Sequence, residues 1–232
     1  GILRYPQEPR RWWVSGPAPG TRSTRLPGTF PWSASPTIPN HERVFCQKSL
    51  EPTRHARYVV THAPLSDEVR ADLLSQCDAL RDLTMWLDGI DRRPGLDELD
   101  SRLSSLDVNI GALEDCIGYS DDGYQRNVIK RNEHYELVAI CWKPGQDTPI
   151  HDHVGSDCAF LIASGVSTET VYETNEDGLA YPVSDRRYMP GEVCAAAEPD
   201  IHRVSNEEST NLINLHVYTP PLSGFQIYAP VE

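Results

Sequence analysis

The second half of this chain is a series of short segments rich in β-forming residues, separated by turn residues. The clearest segments lie after Gly123, at residues 135–142, 158–163, 168–174 and 212–218. The residues Asn175-Glu176-Asp177-Gly178 follow the third segment as the loop of a β-hairpin would. Many short strands with regularly spaced turns predict a closed β-barrel or a β-sandwich.

Amphipathic helices are predicted ahead of these strands. A serine and two acids at 66–68 suit a helix start, and apolar residues then recur at steps of three and four from Val69 to Leu83. A second helix begins after Pro94-Gly95, and a third short one covers 110–116. We expect the helices, at about 66–116, to pack at one side of a barrel at about 123–228.

Net charge, hydropathy and cysteine spacing exclude some classes of partner and location. A net charge of -13 argues against nucleic acid, and no stretch approaches the roughly 18 to 20 apolar residues of a membrane span. Six cysteines without C-x-x-C spacing, and an N-terminus unlike a secretory signal, favour free thiols in the cytoplasm. Residues 1–45, rich in proline and arginine, are predicted to be a poorly ordered extension to one domain at 46–232.

A pair of histidines, His151 and His153, carries the strongest chemical signal. On a strand, residues two apart point to the same side, so both imidazoles could face a barrel interior and bind one ion. An H-x-H pair alone is weak evidence, since core and surface histidines give the same pattern. Its context therefore decides the interpretation.

That context resembles the two motifs of the cupin superfamily. The first, G-x5-H-x-H-x4-E-x6-G, is matched from Gly145 to Gly165, except that Cys158 stands where glutamate is usual. The second is matched by Pro190-Gly191 and by His202 with Asn206 four residues on, although the gap between these parts is longer than usual. The resemblance implies a mainly β fold, a cupin or jelly-roll-like barrel, in which His202 is a third metal ligand.

Cysteine in the glutamate position makes the chain resemble the thiol dioxygenases, and cysteine dioxygenase in particular. Blocks similar to that family run in order over residues 66–228; they are Tyr124-Gln125-Arg126-Asn127, Cys141-Trp142, Ile150 to His153, Ile201 to Asn206 and Leu215 to Pro221. The resemblance implies one Fe(II) held by His151, His153 and His202. Three neutral imidazoles would leave the ion its full charge and open positions for an anionic thiolate and dioxygen.

The resemblance also implies roles for five other residues. A guanidinium offers a planar fork of donors, so Arg126 would bind the substrate carboxylate, with the hydroxyl of Tyr124 close by. Cys158 and Tyr218 correspond to residues that join as a cysteinyl-tyrosine thioether beside the iron. His216 either holds the Tyr218 hydroxyl or is a satisfied core histidine, and Asn214 replaces the serine usual two residues before it.

The expected function is oxidation of L-cysteine by dioxygen to cysteine sulfinic acid, in a monomer whose partners are a small thiol and dioxygen. Arg126 favours cysteine over 3-mercaptopropionate, for which related enzymes have glutamine, but 3-mercaptopropionate or another small thiol remains an alternative. A noncatalytic cupin that binds a metal or a ligand is the alternative from another class. A sugar-isomerase-type cupin is disfavoured, because its fourth ligand is normally a carboxylate.

Overall fold

The structure is a computed structural model that describes residues 60–196 and 200–231; the predicted extension at 1–45 lies outside them. The described chain begins with a short strand, β1 (Thr61–Pro64), and four helices follow: α1 (Asp67–Gln76), α2 (Asp78–Gly89), α3 (Leu96–Ser104) and α4 (Ile110–Glu114). The strands that follow are β2 (Gln125–Arg131), β3 (Glu136–Trp142), β4 (Asp157–Ser164), β5 (Ser167–Thr174), β6 (Ala180–Tyr188), β7 (Val193–Ala196), β8 (His202–Ser205) and β9 (Leu212–Thr219).

The strands form two sheets between which the chain alternates. The larger sheet has the order β1-β2-β3-β9-β4-β7, and the smaller one has the order β6-β5-β8. All pairs are antiparallel except β1 with β2. Side chains meet across the two sheets, as where the rings of Phe160 and Tyr188 lie 6.2 Å apart. The architecture is the mainly β cupin fold, or double-stranded β-helix, that the sequence motifs predict.

Each central strand of the larger sheet is buried on both faces. β3 and β9 contain only buried residues, and their side chains alternate between two clusters. The outer cluster combines the odd-numbered residues with the apolar faces of the helices: Leu137, Ala139, Ile213, Leu215 and Val217 pack with Leu73, Leu80, Leu99 and Leu103. The inner cluster holds the even-numbered residues, among them Val138, Trp142 and Tyr218.

Three of the helices, α1, α3 and α4, begin where the sequence predicts. Ser66 caps α1 through its side chain, which accepts a hydrogen bond from the Val69 amide, and α3 starts directly after Gly95. The prediction of one helix from Val69 to Leu83 is wrong, because the chain leaves helical geometry at Cys77 (φ -128°, ψ 88°) and divides there into α1 and α2. The apolar spacing spans the break because Cys77 is itself buried in the outer cluster.

Gly165 in the first motif is required by both conformation and space. Its φ is +82°, and a Cβ there would lie 2.5 Å from the Asn211 carbonyl oxygen. The β4–β5 turn therefore packs directly against the start of β9. Separately, none of the helices within residues 60–196 and 200–231 is both long and apolar enough to cross a membrane.

Candidate active site

The three predicted ligand histidines come from two parts of the fold. His202 is the first residue of β8, whereas His151 and His153 lie in the segment between β3 and β4. The expectation that this pair occupies a regular strand is wrong, because His151 makes only isolated bridges, to His202 and Ile227, and His153 lies outside any strand. The bridge to His202 is reciprocal, with both N–H···O distances 2.9 Å, and it places these two residues side by side.

The three imidazoles nevertheless converge. Their ring centroids are 5.1 Å apart for His151 and His153, 4.8 Å for His151 and His202, and 4.7 Å for His153 and His202. One nitrogen from each ring lies within 4.8 Å of the other two, and all three residues are buried. Among the common divalent metal sites, this spacing and this donor set suit a first-row transition metal.

The outward-facing nitrogen of each ring has its own acceptor. Nδ1 of His151 lies 2.9 Å from the Pro149 carbonyl oxygen, that of His153 lies 3.0 Å from Asp200 Oδ2, and that of His202 lies 2.8 Å from Glu169 Oε1. These acceptors require Nδ1–H to donate, so the lone pair of each neutral ring is at Nε2. Nε2 of His202 is buried and has no hydrogen-bond partner among the described residues. The arrangement therefore fits a bound cation.

The protonation of the rings agrees with this fit. Burial, together with the neighbouring histidines, holds the pKa of His151 well below its usual value, and burial also lowers the pKa of His153. Burial opposes the charged form of His202, but Asp200 and Glu169 outweigh it and raise the pKa of this ring. A cation at the centre would displace that proton, because imidazole coordinates metals in its neutral form.

Two buried carboxylates, Glu169 and Asp200, were not predicted from the sequence. Each is hydrogen-bonded to one of the converging rings, so negative charge lies directly behind His153 and His202. Burial raises the pKa of each acid, but the histidines outweigh it and the pKa of both is lowered. Asp200 had a signal in the sequence, since it precedes His202 by two residues, as His151 precedes His153.

Cys158, His216 and Tyr218 form one contact group beside the histidines. Cys158 on β4 is directly opposite Tyr218 on β9, and the Tyr218 ring lies 5.8 Å from that of His153. His216 Nδ1 is 3.1 Å from the Tyr218 hydroxyl and 3.8 Å from Cys158 Sγ. Burial raises the pKa of the Cys158 thiol and of the Tyr218 phenol well above their usual values, so both groups keep their protons.

Arg126 and Tyr124 lie next to this contact group. The guanidinium carbon of Arg126 lies 5.2 Å from the centroid of the Tyr218 ring, and the side chain is almost fully buried. Tyr124 stacks on Trp142 with ring centroids 4.6 Å apart, and burial raises the pKa of its hydroxyl to about 12. A buried cation with neutral hydroxyls beside it is suited to receiving an anion.

The family model described as cysteine dioxygenase type I matches residues 103–230, more than half of the chain. The chain belongs to this family. The matched segment contains the three histidines, Arg126, Cys158 and Tyr218, and the predicted resemblance is confirmed.

Individual relatives are similar over a shorter stretch. Cysteine dioxygenase type 1 of Homo sapiens is 31% identical over 103 residues, which is 42% of this chain and 52% of the relative. The enzyme of Rattus norvegicus is 30% identical over the same shares, and that of Danio rerio is 28% identical over 45% of this chain and 55% of the relative. The chain thus spans about half the length of the curated relatives it matches.

Two solved structures with loosely similar folds come from bacteria. A conserved protein with a double-stranded β-helix domain from Klebsiella pneumoniae is 18% identical, with a TM-score of 0.43 over 50% of this chain and 88% of its own. A protein from Thermus thermophilus is 22% identical, with a TM-score of 0.41 over 47% and 94%. Similarity of this extent bears on neither substrate nor cofactor.

Other polar residues do not take part in this convergence. Asp152 accepts hydrogen bonds from the Gln226 amide at 2.9 Å and the Tyr228 hydroxyl at 2.7 Å, so it anchors the C-terminal segment. His134 is exposed, whereas His62 on β1 is half-buried, opposite Arg126 on β2. His41 and His55 lie outside the described residues.

Proposed function

We propose that the chain is an iron(II)-dependent thiol dioxygenase whose substrate is L-cysteine, which it converts with dioxygen to cysteine sulfinic acid. One observation carries the proposal: three buried imidazoles, each fixed through Nδ1, converge beside a buried arginine. The family to which the chain belongs supports the same reaction. Both oxygen atoms enter the product, so the thiol and dioxygen balance the sulfinic acid without an external reductant.

His151, His153 and His202 would hold the iron through Nε2. The iron would supply an electrophilic centre that stabilises the thiolate form of the substrate and activates dioxygen beside it. The residues of the chain would fix the tautomers of the ligand rings and orient the substrate, and their burial would limit the access of bulk water to the site.

Arg126 would bind the substrate carboxylate with the Tyr124 hydroxyl beside it. The stack of Tyr124 on Trp142 fixes the ring, so its hydroxyl is pre-oriented for an anion near the guanidinium. In this arrangement the carboxylate end of cysteine is held against β2, and its sulfur is directed toward the histidines. Positioning of this kind lowers the entropic cost of bringing the reactants together.

The Tyr218 hydroxyl would donate a hydrogen bond at the oxygen side of the reaction, with His216 holding its orientation. His216 Nδ1 lies 3.1 Å from that hydroxyl, and burial holds the pKa of this histidine well below its usual value, so the ring is neutral and can accept a hydrogen bond from the phenol. The hydroxyl can turn between this acceptor and bound substrate. We assign His216 a positioning role on this basis.

The experiment that tests the function measures oxygen uptake and sulfinate together. The iron-loaded protein should consume one dioxygen for each L-cysteine and form an equal amount of cysteine sulfinic acid. The same assay with 3-mercaptopropionate separates the alternatives, since a clear preference for that thiol would contradict the inference that Arg126 favours cysteine. Absence of oxygen uptake with cysteine, 3-mercaptopropionate and cysteamine would favour a noncatalytic metal-binding cupin instead.

A thioether between Cys158 and Tyr218 is part of the proposal. The two residues are directly opposite across β4 and β9, a position in which side chains are in contact. Bond formation removes one hydrogen atom from each residue, and one dioxygen, already a co-substrate, accepts both hydrogens with their electrons and leaves as hydrogen peroxide. We expect the intact mass of turned-over enzyme to contain a species two hydrogens lighter, which Cys158→Ser removes. An unchanged mass after many turnovers would reject the crosslink.

The proposed enzyme is a cytoplasmic monomer that takes a small thiol and dioxygen. Five cysteines among the described residues are free, which suits a reducing compartment: Cys77, Cys116, Cys141, Cys158 and Cys194.

A further inference from the structure

The buried guanidinium of Arg126 is paired with a carboxylate of the protein. Its Nη2 lies 3.2 Å from Oε2 of Glu136, and the two side chains are 9% and 1% exposed. Glu136 begins β3 and lies on the same face as Val138, in the inner cluster, so its carboxylate is directed into the fold. A buried ion pair of this kind is uncommon at a strand position and calls for an explanation.

The ion pair uses one nitrogen of the guanidinium, Nη2. Nε of Arg126 is buried and has no hydrogen-bond partner among the described residues, and neither has Oε1 of Glu136. Arg131 also approaches Glu136, at 3.8 Å, but its side chain is 46% exposed and its charge is screened by solvent. Arg126 is thus held at Nη2 by a carboxylate of the protein, while its Nε keeps a donor that no described residue accepts.

This arrangement changes the electrostatics of carboxylate binding. A lone buried guanidinium would attract a substrate carboxylate strongly, because charges in the poorly solvated interior of a protein are weakly screened. With Glu136 in place, the pair is close to neutral, and a second carboxylate would be attracted by Arg126 and repelled by Glu136. A thiol without a carboxylate experiences neither effect.

We propose that Glu136 determines substrate specificity: by neutralising Arg126, it weakens the preference of the site for carboxylate-bearing thiols, so that aminothiols without a carboxylate are also substrates. The proposal rests on the proposed function and names its substrate class more closely. Glu136 acts through Arg126 and is a positioning residue in this sense.

The test compares two ligands that differ only in the carboxylate. Binding of L-cysteine and of cysteamine to the iron-loaded protein is measured by calorimetry without oxygen, for the wild type and for Glu136→Gln. We expect the Kd for cysteine to fall by roughly tenfold in the variant, since a like charge beside the bound carboxylate is removed. The Kd for cysteamine should change by less than about twofold, because cysteamine has no group for that charge to repel.

A matched control is Glu133→Gln, which makes the same charge change three residues away on an exposed side chain. Both dissociation constants should be unchanged in this control. An unchanged or higher Kd for cysteine in Glu136→Gln, or an equal shift for both thiols, would overturn the proposal. The ratio of the two constants is decisive, because a purely structural role would affect both ligands alike.

Loss of Glu136 leaves a buried cation without its partner, so the variant is expected to be less stable. If it does not fold alone, it is refolded with cysteine or with cysteamine; rescue by cysteine only supports the proposal, and equal rescue or none contradicts it. Oxygen uptake on the wild type separates the two levels of inference. Protein that binds both thiols in the expected ratio but oxidises neither refutes the proposed function and leaves only the effect of Glu136 on binding, whereas protein that oxidises cysteine but not cysteamine overturns the proposed substrate class.

Discussion

The two faces of the larger sheet come from the same strands and differ in almost every respect. On β9 the odd-numbered residues, Ile213, Leu215 and Val217, pack under the helices, whereas the even-numbered Asn214, His216 and Tyr218 point into the other face. All of them are buried, so exposure does not distinguish the faces. The outer face gains its free energy from apolar contact, while the inner face retains buried polar groups whose desolvation must be offset by hydrogen bonds or by a ligand.

Burial alone therefore does not identify a hydrophobic core. Several inner side-chain atoms have no hydrogen-bond partner among the described residues, including His202 Nε2, His216 Nε2 and Asn214 Oδ1. Orphaned buried groups are uncommon in structural cores. Their concentration on one face marks it as the functional face, and the two faces should respond differently to substitution.

The largest effect is expected from His202→Ala, which removes one of the three converging rings. Iron content and dioxygenase activity should both fall to background, because two imidazoles in this geometry cannot hold the ion. Metal analysis after exhaustive dialysis, alongside oxygen uptake, measures this. His134→Ala, which removes an exposed imidazole, is the control and should retain both. Full iron occupancy in His202→Ala would remove this residue from the ligand set.

A substitution on the outer face should lower the stability of the fold and leave iron binding unchanged. Leu137→Ala deletes a fully buried side chain under the helices and should lower the free energy of unfolding by about 2–5 kcal/mol. The Kd for iron in the folded protein should stay the same, because Leu137 points away from the histidines. Urea denaturation and metal titration measure the two quantities. Val183→Ala, on the exposed β6, is the control and should cost about 0.5 kcal/mol or less. Weaker iron binding in folded Leu137→Ala would mean that the faces are coupled.

A smaller effect on iron affinity is expected from the carboxylates that are hydrogen-bonded to the histidines. Asp200→Asn replaces the carboxylate that accepts the Nδ1–H of His153 with an amide, and iron affinity should fall by roughly 10–100-fold. Chelator competition measures the change, and Asp177→Asn, in the exposed β5–β6 loop, provides a control of equal charge. Unchanged affinity in Asp200→Asn would show that this hydrogen bond does not orient the ring.

Much of this molecule could be predicted from local sequence. Strands β3, β4, β5 and β9, the helix starts at Ser66 and Leu96 and the β5–β6 loop follow from patterns within a few residues, because side-chain period and turn chemistry act over that range. The three histidines could be found because the cupin motifs place them at nearly fixed separations. The break at Cys77 could not, since a buried residue continues the helical spacing whether or not the backbone stays helical.

The class of fold and the family follow from the sequence alone, because each depends on short-range spacing or on motif identity, and the same motifs single out the three histidines that converge. The charge around these histidines, in contrast, depends on the tertiary structure. Glu169 is brought to His202, Asp200 to His153 and Glu136 to Arg126 across separations of 33, 47 and 10 residues. The physical reason is that electrostatic pairing depends on distance in space, and in a barrel this distance is fixed by strand register rather than by position along the chain.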